Sequence, residues 1–74
     1  MEQDPHIHSA SELGAQLRAR RKSLNLSQAS VADVIGVNRR VLGQLERGKG
    51  TVQLQIAVEA ARAVGLDITL TPRR

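Results

Sequence analysis

Not one phenylalanine, tyrosine or tryptophan occurs in the 74 residues of this chain. Its core must therefore be assembled from Leu, Val, Ile and Ala, at a length where a single core is barely sufficient. With no cysteine present, no disulfide can reinforce it. The chain is expected to form one domain with a thin interior, and to gain from an oligomer that buries further apolar surface.

Dense punctuation divides the sequence. Residues 1–8 show no periodicity and contain Pro5, which reads as a flexible arm. Ser9 and Glu12 have capping-box spacing, so a first helix should open at Ser9 or Ser11 and run to about Leu24, with Leu13 and Leu17 at helical spacing. Ser27 is a good cap for a short second helix, 28–35, that buries Val31, Ala32 and Ile35 and stops at Gly36. Asn38 caps a third, from Arg39 to about Arg47, with Leu42 and Leu45 inward and Gly48 as its stop. A fourth spans roughly 53–64, where Leu54, Ala57, Val58, Ala61 and Val64 make a stripe that Gly65 ends. Leu66, Ile68 and Leu70 then alternate with Asp67, Thr69 and Thr71 up to Pro72, a strand pattern. That strand has no partner in its own chain, and its amides need one. The expected organisation is an arm (1–8), a helical domain (9–66), and a strand with its tail (67–74).

The net charge of +4 is unevenly spread. Arg18, Arg20, Arg21, Lys22, Arg39, Arg40, Arg47 and Lys49 fall between residues 18 and 50, against only Asp33 and Glu46. Concentrated positive charge suggests a polyanionic partner. Two short helices joined through "GVN" match the helix-turn-helix pattern, in which the second helix enters the major groove and its N-terminal residues meet base edges. Arg39 and Arg40 oppose the helix macrodipole, yet in that setting their charge points where DNA would lie. Arginine pairs with guanine, and Asn38 is of the type that pairs with adenine. Gln44, about one turn beyond Arg40, can reach the groove or a phosphate. Gly43 costs ~1 kcal/mol against alanine in a helix; it either admits a close approach of DNA or is simply tolerated.

The stretch "LGAQLRARRKSLNLSQASVADVIGVNRRVLGQLERGKG" resembles the Xre/Cro, lambda-repressor-like family of helix-turn-helix regulators. The matching positions are Leu26-Ser27-Gln28, Ala32, Gly36-Val37-Asn38 and Leu45-Glu46-Arg47-Gly48-Lys49. The resemblance implies an all-α bundle of four to five short helices. It implies that Gln28 contacts a DNA phosphate and braces the recognition helix, and that Glu46 pairs with Arg21. Arg21 is then structural rather than DNA-reading, while Arg18 and Lys49 remain candidates for the DNA interface. Val31, Val41 and Gly43 depart from the family's usual Leu, Thr or Ser, and Ser.

The tail "LQIAVEAARAVGLDITLTPRR" is similar to HipB-type antitoxins, in which a C-terminal strand pairs with its two-fold mate. This implies a homodimer held through Ile68, Thr69 and Leu70, with Ile56 and Ala60 either joining that interface or belonging to the core. It further implies a repressor that binds a palindromic operator of its own toxin–antitoxin operon and holds a HipA-like serine/threonine kinase toxin. A stand-alone Xre-family or phage-type repressor is the alternative.

Other classes have little support. His6 and His8 have no accompanying carboxylate cluster or cysteine, so neither a metal nor a catalytic centre is expected, and no cofactor is implied. "GKG" is too short for a phosphate cradle. Single-stranded nucleic acid would call for aromatic stacking platforms, which are lacking. A pure protein-interaction domain has little use for paired arginines at a helix start. No apolar run approaches the ~20 residues of a membrane span, and the N-terminus lacks signal-peptide character. A cytoplasmic, nucleoid-associated bacterial protein is the expectation.

Overall fold

The computed structural model of the protein describes residues 6–73; residues 1–5, most of the expected arm, and residue 74 lie outside the described residues. Helices α1 (Ala10–Ser23), α2 (Gln28–Ile35), α3 (Arg39–Glu46) and α4 (Leu54–Ala63) follow one another in the chain.

Local chemistry accounts for the boundaries. The Glu12 amide donates to Ser9 Oγ at 3.1 Å, and the Glu12 carboxylate accepts from the His8 amide at 3.0 Å, a capping box displaced by one residue. Ser27 Oγ accepts from the Ser30 amide at 3.0 Å, and Asn38 Oδ1 from the Arg40 amide at 2.7 Å. Each helix ends at a residue of left-handed conformation: Asn25, Gly36, Gly48 or Gly65. The next amide then reaches back to a carbonyl of the last turn, Leu26 to Arg21, Val37 to Ala32, Lys49 to Gln44 and Leu66 to Ala61. Leu26, Val37 and Leu66 also pack on the core, whereas Lys49 at the end of α3 is exposed.

In the core, α1 packs on α3, and α2 on both α3 and α4. Leu17, Val31, Ala32, Leu42, Leu45, Ala57, Ala60, Ala61 and Val64 are buried together. Small residues let the backbones approach. A Cβ on Gly14 would collide with the Leu45 carbonyl oxygen and lie 2.7 Å from the Glu46 carbonyl oxygen. One on Gly48 would sit 2.6 Å from Ser11 Cα. These two glycines allow the first half of α1 to lie directly on the end of α3.

The structure departs from one of these expectations and bears on two more. On α4 the buried face is Ala57, Ala60, Ala61 and Val64, and Leu54 is 75% exposed. The i, i+3, i+4, i+7 set containing three alanines permits close packing, and it turns the bulkier Leu54 outward. Ala60, left open above between the interface and the core, is only 2% exposed and belongs to the core. Finally, residues 66–73 form neither strand nor helix, and the regular secondary structure of the described residues is all-helical. A strand exists only through its ladder, and among the described residues this segment has no strand to pair with. Ile68 and Leu70 are 47% and 95% exposed.

Candidate nucleic-acid interface

The turn from α2 to α3 is three residues long, Gly36-Val37-Asn38. It sets α3 across α2 so that Leu42, Leu45 and Glu46 face the interior. At about 100° per residue, Arg40 and Arg47 then fall on the opposite side, with Gly43 between them. Gln28, Asn38, Arg39, Arg40, Gly43 and Arg47 line one shallow groove along this outer face. Among the described residues, no carboxylate pairs with the guanidinium of Arg39, Arg40 or Arg47.

Behind the groove lies a buried ion pair. Arg21 Nε donates to Glu46 Oε2 at 2.6 Å and Nη2 to Oε1 at 2.9 Å, with side chains 9% and 2% exposed. Arg21 Nη1 also donates to the Leu26 carbonyl at 2.8 Å, and Gln28 Nε2 donates to Glu46 Oε1 at 3.0 Å. Burial alone pushes the Glu46 carboxyl up; the hydrogen bonds from Arg21 and Gln28, with the charges of Arg21 and Arg18, outweigh it and hold the carboxyl below its ordinary range. The hydrogen bond to Glu46 raises Arg21 against the opposing effect of burial. No buried side-chain polar atom lacks a partner among the described residues. The bidentate, fully satisfied geometry is what makes such a pair tolerable in a thin core.

The remaining sequence candidates divide. Asn38 sits at the groove but uses Oδ1 to cap α3, which leaves its amide NH2 as a donor and suits a phosphate better than a bidentate adenine contact. Gln44 and Lys49 are not in the groove; they line a second depression on the other flank of α3 with Val41, Thr51, Val52, Gln53 and Ile56. Arg18 is exposed on α1, close enough to Glu46 for its charge to be felt. Arg20, counted above with the basic cluster, donates from Nε to the Val64 carbonyl at 2.9 Å and so caps the end of α4.

Arg47 was missed as a groove residue. Its only sequence signal was its position four residues after Gly43, which places the two on one helix face. Gly14 was missed too, because nothing in α1 reveals that α3 will cross there.

The likeness to known proteins follows this geometry. The helix-turn-helix family model matches residues 17–70. An HTH-type transcriptional regulator of Sinorhizobium fredii, y4mF, is 34% identical over 64 residues, covering 86% of this chain and 84% of that one. Another, from Methanothermobacter thermautotrophicus, is 39% identical over 51 residues, covering 69% of this chain and 74% of its own. The chain belongs to the Xre/Cro-like helix-turn-helix family of transcriptional regulators. Within that class its fold is similar to HipB. Solved structures described as a HipB-O4 20mer complex and a HipA-HipB-O2-O3 complex each superpose with a TM-score of 0.87 over 96% of this chain and 100% of theirs, at 18% identity. No helix among the described residues is long and apolar enough to cross a membrane, and none of their His, Asp or Glu residues gather in threes to hold a metal ion.

Proposed function

We propose that this protein is a sequence-specific repressor of the HipB-like antitoxin type, binding a palindromic duplex operator as a homodimer, controlling its own operon and holding a HipA-like kinase toxin. The carrying observation is the outer face of α3, where Arg39, Arg40 and Arg47 line one groove and none of them is ion-paired to a carboxylate of the described residues. A capped, eight-residue helix carrying that face after a three-residue turn suits the major groove. The apolar alternation of Leu66, Ile68 and Leu70, with Leu70 almost fully exposed, supports strand pairing with a two-fold mate. Two recognition helices then stand about one duplex turn apart, ~34 Å. Ile56, half-buried against the core, borders that role; Thr69 would face away from Ile68 and Leu70 along the paired strand. A bacterial cytoplasmic setting goes with this reading.

Selection of bound duplexes from a random library tests base reading. Arg39→Ala and Arg40→Ala should flatten the selected preference, whereas Arg18→Ala weakens all sequences alike. Equal losses on selected and random duplexes for all three variants would refute it. Sedimentation tests the assembly: Leu70→Asp should shift a dimer toward monomer, and a wild-type monomer at micromolar concentration would sink the two-fold arrangement. Co-purification with a co-expressed HipA-like kinase separates the antitoxin from a stand-alone repressor, the reading that regulator names of the sequence relatives leave equally served.

A further inference from the structure

The recess over Gly43 is built from two elements. From α3 itself, Arg47 lies back along the helix: its Nη1 is 3.2 Å from where a Cβ of residue 43 would be. From α2, both amide atoms of Gln28 lie 3.8 Å from the same point. Side chains on a helix lean toward its N-terminus and over the residue four earlier, so an arginine at 47 naturally covers position 43. Any other residue at 43 would press against it.

We infer that Gly43 shapes a seat in which one backbone phosphate of the duplex is gripped between the Arg47 guanidinium and the Gln28 amide. The inference rests on the duplex-binding reading above and adds Arg47 to it. Gln28 is already oriented, because one Nε2 hydrogen is held by Glu46 Oε1 at 3.0 Å; its second hydrogen remains as a donor. The guanidinium offers a fork that matches phosphate oxygens. Arg47 follows the last residue of α3, Glu46, about 12 Å along the axis from Arg39. That distance approximates the width of the major groove, so with Arg39 and Arg40 at base edges the far end of the helix meets the flanking backbone. The glycine then has a function beyond tolerance: it gives up helix propensity to leave the guanidinium its place.

A labelled mixed-sequence duplex, titrated at several salt concentrations, is the probe. Arg47→Ala should lower affinity about tenfold at low salt, the effect of losing one charge-assisted contact, and reduce the salt slope by ~0.9. Arg47→Lys should keep the slope while losing part of the affinity, since a point charge replaces the fork. Gly43→Ala should raise the melting temperature, alanine being the better helix former, yet weaken binding about threefold; in the Arg47→Ala background the same change should have no effect on binding. That opposition of stability and binding is not expected of a merely structural glycine. An unchanged salt slope in Arg47→Ala, or a Gly43→Ala loss that persists in full without Arg47, would overturn the seat while leaving duplex binding intact. A wild-type chain that binds no duplex would overturn both.

Discussion

Arg21 on α1 and Arg40 on α3 carry the same side chain in opposite surroundings. Arg21 is buried, with every nitrogen of its guanidinium donating to Glu46 or to the Leu26 carbonyl. Arg40 is exposed in a groove shared with Arg39 and Arg47. The contrast extends to Arg20, tied to the end of α4. Arg20 and Arg21 on α1 thus hold the bundle together, whereas Arg39 and Arg40 on α3 are left available to a polyanion. Counting basic residues along the chain overstates the binding face, because part of that charge is internal.

Removing a partner from the buried pair should produce the largest effect. Glu46→Ala strands Arg21 and deprives Gln28 of its acceptor, and should cost ~3–5 kcal/mol in denaturant unfolding. Its proton linkage has a definite sign. The folded carboxyl is held below its ordinary value, so the unfolded chain binds protons more readily. The stability this group contributes is complete above about pH 4.3, the unfolded carboxyl value, and is lost as pH falls through the lower folded one. A melting temperature that does not fall below pH 4 more steeply in wild type than in Glu46→Ala would break the contrast at its buried end.

Gly14→Ala comes next. Its methyl group would meet the backbone carbonyls of Leu45 and Glu46, which cannot swing aside as a side chain can, so a loss of ~1–3 kcal/mol by overpacking is expected. Arg20→Ala should cost ~1 kcal/mol, the ordinary value of a hydrogen bond, with no change in duplex preference. Arg40→Ala should change stability by less than ~0.5 kcal/mol while removing about 1–3 kcal/mol of base discrimination. The comparison fails at its exposed end if Arg40→Ala unfolds the protein as Glu46→Ala does.

Much of the fold was legible because it is encoded locally. Ser9, Ser27 and Asn38 mark helix starts, and Gly36, Gly48 and Gly65 mark stops, through contacts that span only a few residues. The meeting of Arg21 with Glu46 was accessible only through family resemblance, since 25 residues separate them. What stayed hidden depends on neighbours. On α4 the stripe correctly held Ala57, Ala61 and Val64, but that Ala60 joins them while Leu54 turns outward became evident only once α2 lay against the helix. Gly14 carries meaning only with α3 across it. Likewise the alternation of 66–71 is a strand pattern, and a ladder needs a second strand, which the described residues do not contain. At the groove, spacing placed Arg39 and Arg40 together on α3, whereas Gln44 and Lys49 line a separate depression and Arg47 joins the groove unforeseen.

One carboxylate on α3 receives bonds from α1 and α2 at once. None of these three helices can fray inward past that point without releasing the other two, which makes them a single cooperative unit. Partial opening would therefore not yield a loosened but usable recognition surface: the groove of Gln28, Arg40 and Arg47 exists whole, or it is gone.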